Sequence, residues 1–223
     1  MSTHQSDPAL LDTASLGFAE DFTQPSDAVR QAREDALVGG LEPISPRVVA
    51  ALTFFARALD ARAVVEVGSG TGLTGLALFA GMHPNGILTS IDAEADWQLE
   101  ARAAFTSASL PASRFRLIAG AALDVLPKLR DAAYDLVLIN GDKLEYVEYV
   151  AQALRMLRPG GVLLVHDALW HSLVADPRND DDETVIIRES LQTIRENSEL
   201  TTVMIPLGDG LLAAIQGPPA HLG

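Results

Sequence analysis

Hydrophobic positions change period repeatedly along this chain, and each change marks where helix gives way to strand. From Pro46 the apolar residues Val48, Val49, Leu52, Phe55, Ala56 and Leu59 fall at helical spacing, with proline where a first turn tolerates it. Short β-branched or leucine-rich runs follow at residues 63–67, 87–91, 114–119, 135–139 and 162–166, each reading as a strand buried on both faces. Between them lie helical stretches starting near Thr71, Ala95, Ala121 and Leu144. The last of these runs to Leu157 and is stopped at RPGG, where Pro159 cannot continue a helix and the glycines allow a turn into the fifth strand. After a helix from about Asp182 to Asn197 the alternation breaks. TTVMIPL and LLAAIQ are separated only by GDG, too short for a crossover and typical of a hairpin. The expected fold is α/β: a seven-stranded, mostly parallel sheet with an antiparallel C-terminal hairpin strand and helices on both faces.

Ahead of this core the pattern is weaker. The first 25 or so residues, rich in Ser, Thr, Asp and Pro, predict loose order, and a short polar helix follows from Ser26 to Leu37 before the turn at Gly39 and Gly40. The chain thus divides into an N-terminal extension, residues 1–40, and one main domain, residues 41–223. The acidic run DDDE at 180–183 supplies negative charge to a helix N-terminus.

Composition narrows the partners. Hydrophobic residues make up 48% and charged residues 21%, as in ordinary globular chains, and no run of 18 uncharged apolar residues could cross a bilayer. The formal charge of −14 repels phosphate backbones and anionic lipid, and no local basic patch compensates, so neither nucleic acid nor membrane is expected as a partner. The N-terminus lacks a basic start followed by an apolar core, and the chain has no cysteine, which fits a reducing compartment; the expectation is a cytoplasmic protein.

The chemistry starts at VVEVGSGTGLTGLAL. Gly68, Ser69, Gly70 and Gly72 stand between a strand and a helix, where a tight turn lets backbone amides and the positive helix end approach a ligand. The next strand ends on Asp92, about 20 residues on, where a carboxylate can accept both ribose hydroxyls of an adenosine. A nicotinamide dinucleotide and S-adenosylmethionine both fit this description. Glu66, two residues before the first glycine, favours the second. Its carboxylate would repel a pyrophosphate, but can orient loop amides around the cationic amino-acid end of S-adenosylmethionine or meet that end directly.

Glu66 to Thr74, then Asp92, then YDLVLINGDKLEYVEYV, LRPGGVLLVHDALW and IPLGDGLLAAI resemble, in that order, the metal-dependent O-methyltransferases of the caffeoyl-CoA and catechol type, from about Glu42 to Ile215. The resemblance implies a Rossmann-like methyltransferase sheet, S-adenosylmethionine as cofactor, a small hydroxylated acceptor and a homodimer. It makes Ile44 and Ser45 part of the loop around the methionine end and Thr74 the hydroxyl that holds its carboxylate. It also puts Asp92 on the ribose, Gly120 and Ala121 beside the adenine, and Asn140 facing the methyl group.

The resembled family holds a divalent metal with an aspartate ending the fourth strand, an aspartate ending the fifth and an asparagine directly after it, and uses a nearby lysine as base. Here those positions read Asn140, Asp167, Ala168 and Lys143. Asp167 is an intact ligand, Asn140 and Asp142 are weak ones, and Ala168 cannot coordinate anything, so the case for bound magnesium is poor. Lys143 and Asp167 remain as candidate catalytic groups, with His166 and His171 as alternative bases and Trp170 and Tyr146 as candidate walls of an aromatic pocket. Two competing readings stay open: a catalytically degenerate S-adenosylmethionine-binding protein, and an NAD(P)-dependent oxidoreductase.

Overall fold

The computed structural model of the protein describes residues 12–218. The expectation of loose order for residues 1–11 lies outside the described residues. For the rest of the N-terminal stretch it is corrected. Thr13–Asp21 form α1, capped by Asp12, whose side chain accepts a hydrogen bond from the Ser15 amide at 2.7 Å. The small polar residues that suggested disorder are here a helix N-cap. Asp27–Val38 form α2, capped by Ser26, and Pro46–Ala58 form α3, capped by Ser45.

The main sheet is built from β1 (Ala63–Val67), β2 (Ile87–Asp92), β3 (Phe115–Ala119), β4 (Tyr134–Ile139), β5 (Leu157–His166), β6 (Leu200–Ile205) and β7 (Leu211–Gln216). Their spatial order is β3-β2-β1-β4-β5-β7-β6. All neighbouring pairs from β3 to β5 are parallel, while β7 runs antiparallel to both β5 and β6. The helices between strands are α4 (Leu73–Gly81), α5 (Ala95–Ser107), the short α6 (Ala122–Val125), α7 (Tyr146–Met156) and α8 (Asp182–Glu196). None of the described helices is long and apolar enough to cross a membrane.

Strand periodicity of two sorts the core into layers. Val64, Leu136, Leu138, Val162 and Leu164 pack with α3, α4 and α5, whereas Val65, Val67, Val137, Ile139, Leu163 and Val165 pack with α7 and α8. Glu66 lies between Val65 and Val67 and so points to the α4 side.

The sequence expectation for RPGG needs one correction. β5 begins at Leu157, directly after α7, because Leu157 pairs with Tyr134 before the register slips: Leu136 pairs next with Val162. Residues 158–161 are an irregularity within the strand rather than a turn leading to it. Arg158 holds the slip in place by donating to Asp135 Oδ1 at 2.7 Å, while Asp135 Oδ2 accepts the amides of Arg62 and Ala63 at 2.6 and 2.8 Å.

From β1 the chain moves outward to β2 and β3, then returns to place β4 on β1's other side. Loops leaving the carboxyl ends of β1 and β4 therefore diverge, and the crevice between them is where such sheets bind ligands.

Candidate active site

The loop after β1 approaches the end of β4 so closely that only glycine fits at its first position. Gly68 has φ of 91°, and a Cβ there would collide with the backbone carbonyl of Asn140. α4 starts at Leu73, two residues later than the sequence suggested, because Gly72, at φ of 85°, caps it in the left-handed conformation.

Asp92, not Glu66, orients the loop amides. Asp92 Oδ2 accepts from the Ser69 and Gly70 amides at 2.8 and 3.0 Å, and Oδ1 accepts from the Glu94 amide at 3.0 Å. Glu66 is fully buried beneath the loop and accepts from the hydroxyls of Thr74 and, at 2.6 Å, Ser90. Burial pushes its carboxyl up to about 7 against those two hydroxyls, with the Asp92 charge adding to the rise. Ser90 in turn lies 2.5 Å from the Ser69 hydroxyl, which accepts from Gln98 at 2.8 Å. The loop thus rests on a buried polar network.

Three adjoining clefts open over this frame. One of about 410 Å³ is lined by Gly68, Gly70, Asp92, Ala121 and Asn140, together with Trp97 and Tyr149. A small one of about 60 Å³ is lined by Ile44, Ser69, Gly70, Thr74 and Asn140. A third, of about 460 Å³, is lined by Ile44, Ser45, Asn140, His166, Asp167, Trp170, His171 and Asp209. Asn140 lines all three. Gly120 lines none of them and sits next to Ala121, its amide bonded to the Asp92 carbonyl at 2.9 Å.

Behind the wall of the third cleft, Lys143 donates to Asp167 Oδ2 at 2.8 Å and to the Gly141 carbonyl at 3.3 Å. His166 Nδ1 lies 2.9 Å from Asp167 Oδ1 and 2.9 Å from Asn140 Oδ1. Burial raises the Asp167 carboxyl, but His166 and Lys143 outweigh it and hold the group at about 2. The Lys143 ammonium also stands over the rings of Tyr146 and Trp170, at 4.9 and 5.5 Å. Trp170, His171 and Ser172 have φ of 44°, 52° and 66°, a left-handed run held by Asp209, whose oxygens accept the His171 amide at 2.8 and 2.6 Å. Tyr146, expected as a pocket wall, is instead fully buried, its hydroxyl donating to the His166 carbonyl at 3.2 Å.

These residues do not fit a divalent cation. Both Asp167 oxygens and the Asn140 oxygen are already bonded to donors, and Ala168 is a buried methyl group. Asp142 uses Oδ1 to cap the turn Lys143–Glu145, accepting from the Leu144 amide at 3.0 Å, and lines the first cleft rather than the third. Among the described residues no group of three or more His, Cys, Asp and Glu side chains is placed to hold a metal.

Comparison with known proteins decides between the two enzyme classes. The model of the O-methyltransferase family matches residues 43–216. The chain belongs to the O-methyltransferase family. A protein of Mycobacteroides abscessus assigned to the O-methyltransferases is 43% identical over 201 residues, covering 90% of this chain and 94% of that one. A crystal structure from Corynebacterium glutamicum has a TM-score of 0.85 at 30% identity, covering 92% of this chain and 97% of that one. The O-methyltransferase TomG of Streptomyces achromogenes, solved with S-adenosylmethionine, shares the fold with a TM-score of 0.84 at 24% identity, covering 93% and 97%. The likeness read from the sequence is borne out, and membership of the O-methyltransferase family sets the oxidoreductase reading aside.

Trp97, Tyr149 and Glu42 were missed in the sequence. Trp97 stands five residues past Asp92 in the first turn of α5, and Tyr149 follows Tyr146 by three on α7, so helical spacing from the recognised motifs would have found both. Glu42 lines all three clefts from an irregular segment whose sequence carries no periodic signal.

Proposed function

We propose that this O-methyltransferase moves the methyl group of S-adenosylmethionine to a hydroxyl of a small phenolic or catechol-like acceptor without the help of a metal. The observation that carries the reading is the position of Asn140 on the shared wall of all three clefts. The adenosine end takes the first cleft, with Asp92 at the ribose and Ala121, beside Gly120, at the adenine. With Gly68 on the adjoining first cleft and Ser45 on the adjoining third, the methionine end takes the small cleft lined by Ile44, Ser69 and Gly70. Thr74 stands at its floor, its hydroxyl shared with buried Glu66. The acceptor takes the third cleft, against Trp170.

Alignment of the acceptor oxygen with the sulfonium methyl supplies most of the acceleration. The O–CH₃ bond forms as the S–CH₃ bond breaks, giving S-adenosylhomocysteine. Lys143, paired with Asp167 behind the cleft wall, supplies positive charge near the developing oxyanion. The hydroxyl proton passes to His171, whose side chain is 58% exposed on the same wall. A homodimer and a cytoplasmic location belong to this reading, the first from the family resemblance and the second from the cysteine-free composition.

The test is a panel of catechols and phenols incubated with methyl-labelled S-adenosylmethionine, alongside thermal stabilisation by S-adenosylhomocysteine. Label in the acceptor supports the reading. Stabilisation with no transfer to any member favours a protein that binds the cofactor without using it.

A further inference from the structure

A carboxylate and an amide oxygen that converge at the floor of a crevice need a donor between them, or their lone pairs repel. Here one nitrogen answers both: His166 Nδ1 lies 2.9 Å from Asp167 Oδ1 and 2.9 Å from Asn140 Oδ1. The carboxylate can only accept, so Nδ1 carries the hydrogen and is shared between the two oxygens. The ring has little freedom to do otherwise. His166 is 7% exposed, and its carbonyl is held by the Tyr146 hydroxyl. The second Asp167 oxygen is taken by Lys143 at 2.8 Å.

This fixes the orientation of Asn140. With Oδ1 turned to His166, the NH₂ group is left for the clefts that Asn140 lines, so the amide offers hydrogens there where a carboxylate would offer only acceptors. We propose that His166 is a positioning residue that turns the Asn140 amide toward the reacting oxygen, and that Asn140 and Lys143 together do by hydrogen bonding and charge what a Lewis acid would otherwise do. The inference rests on the cofactor and acceptor placement proposed above. As the oxygen loses its proton to the wall histidine and attacks the methyl group, its gathering negative charge meets the Asn140 N–H, with the Lys143 ammonium behind Asp167 adding positive charge nearby. No metal–oxygen bond is needed for the step to balance.

The test compares His166→Ala, His166→Asn and Asn140→Asp with the intact protein, and adds Asn140→Asp/Ala168→Asn. In His166→Asn the side-chain amide nitrogen falls near the position of Nδ1. It should keep kcat within about threefold, while His166→Ala and Asn140→Asp lose roughly 10²-fold, with little change in KM for S-adenosylmethionine. A residue that merely supported the fold would lower thermal stability equally in His166→Ala and His166→Asn and leave the split between kcat and KM unmoved. Mn²⁺ titration followed by electron paramagnetic resonance needs no acceptor. The intact protein should leave Mn²⁺ free up to about 1 mM, and the double variant, with carboxylate and donor restored, should bind it. If no phenol is methylated, the acceptor reading fails while the Mn²⁺ result still tests the arrangement of this floor. Tight Mn²⁺ binding by the intact protein, abolished in Asp167→Asn, or equal activity of His166→Ala and the intact protein, would overturn the proposal.

Discussion

Two acids, Glu66 fully buried and Asp167 partly so, show how differently one side-chain type behaves at this crevice. Asp167 ionises readily because His166 and Lys143 meet it, whereas Glu66 has only hydroxyl partners and is pushed up to about 7. A carboxyl whose folded value lies above its ordinary 4.5 keeps its proton longer in the folded state than in the unfolded one. Its contribution to stability is therefore fully present below about pH 4.5 and is lost as pH rises toward and through 7. Glu66→Gln removes this dependence, so the variant should gain on the intact protein across that window, by up to ~3 kcal/mol, and by no more above it. Chemical denaturation at pH 4.5, 6 and 8 checks this; parallel stabilities at all three would contradict it. The sequence marked Glu66 as important but not how. Its partners Ser90 and Thr74 come from β2 and α4 and meet only after folding. The pairing of Asn140 with His166 was more accessible: β4 and β5 run parallel with Ile139 beside Val165, which puts the next residues of each strand side by side.

Elements were legible wherever a period was sustained. The β1, β2 and β4 runs lie within one residue of their expected bounds, and the C-terminal hairpin forms as the short GDG spacing implied, with five residues, 206–210, between its strands. Failures fell where composition stood in for period. The Ser, Thr and Asp content ahead of residue 25 hid α1, which buries none of its residues and so carries no amphipathic stripe. RPGG looked like a stop, yet a parallel neighbour on β4 supplied Leu157 with a pairing partner and absorbed the glycines as an irregularity. The strand ends that carry the chemistry were placed correctly because glycine or a polar residue interrupts each apolar run there. The run after Asp167 was not: a left-handed stretch through Trp170, His171 and Ser172 has no sequence signature in residues that ordinarily avoid it.

At the scale of the whole molecule the fold and family were readable from motif order, while the acceptor is constrained mainly by charge. Glu42, Asp92, Glu94, Asp142 and Glu145 line the first cleft, Asp167 and Asp209 line the third, and no Lys or Arg is among the described residues lining either. The formal charge of −14 adds a background of the same sign. The cationic sulfonium and ammonium of the proposed cofactor suit this field. An anionic acceptor does not. Between two catechols of equal size, one bearing an amine and one a carboxylate, the amine should react about tenfold faster at low salt, with the gap narrowing as salt screens the rim. Equal rates for the two would remove charge as a determinant. Methyl transfer on protein groups alone, as proposed for this crevice, is tested most directly by the initial rate of S-adenosylhomocysteine formation, with a working acceptor, after exhaustive chelation and again after magnesium is added back. Rates equal within about twofold are expected, since Asn140, Asp167, Lys143 and His166 satisfy one another. Loss of the rate on chelation and its return with magnesium would show that a metal takes part.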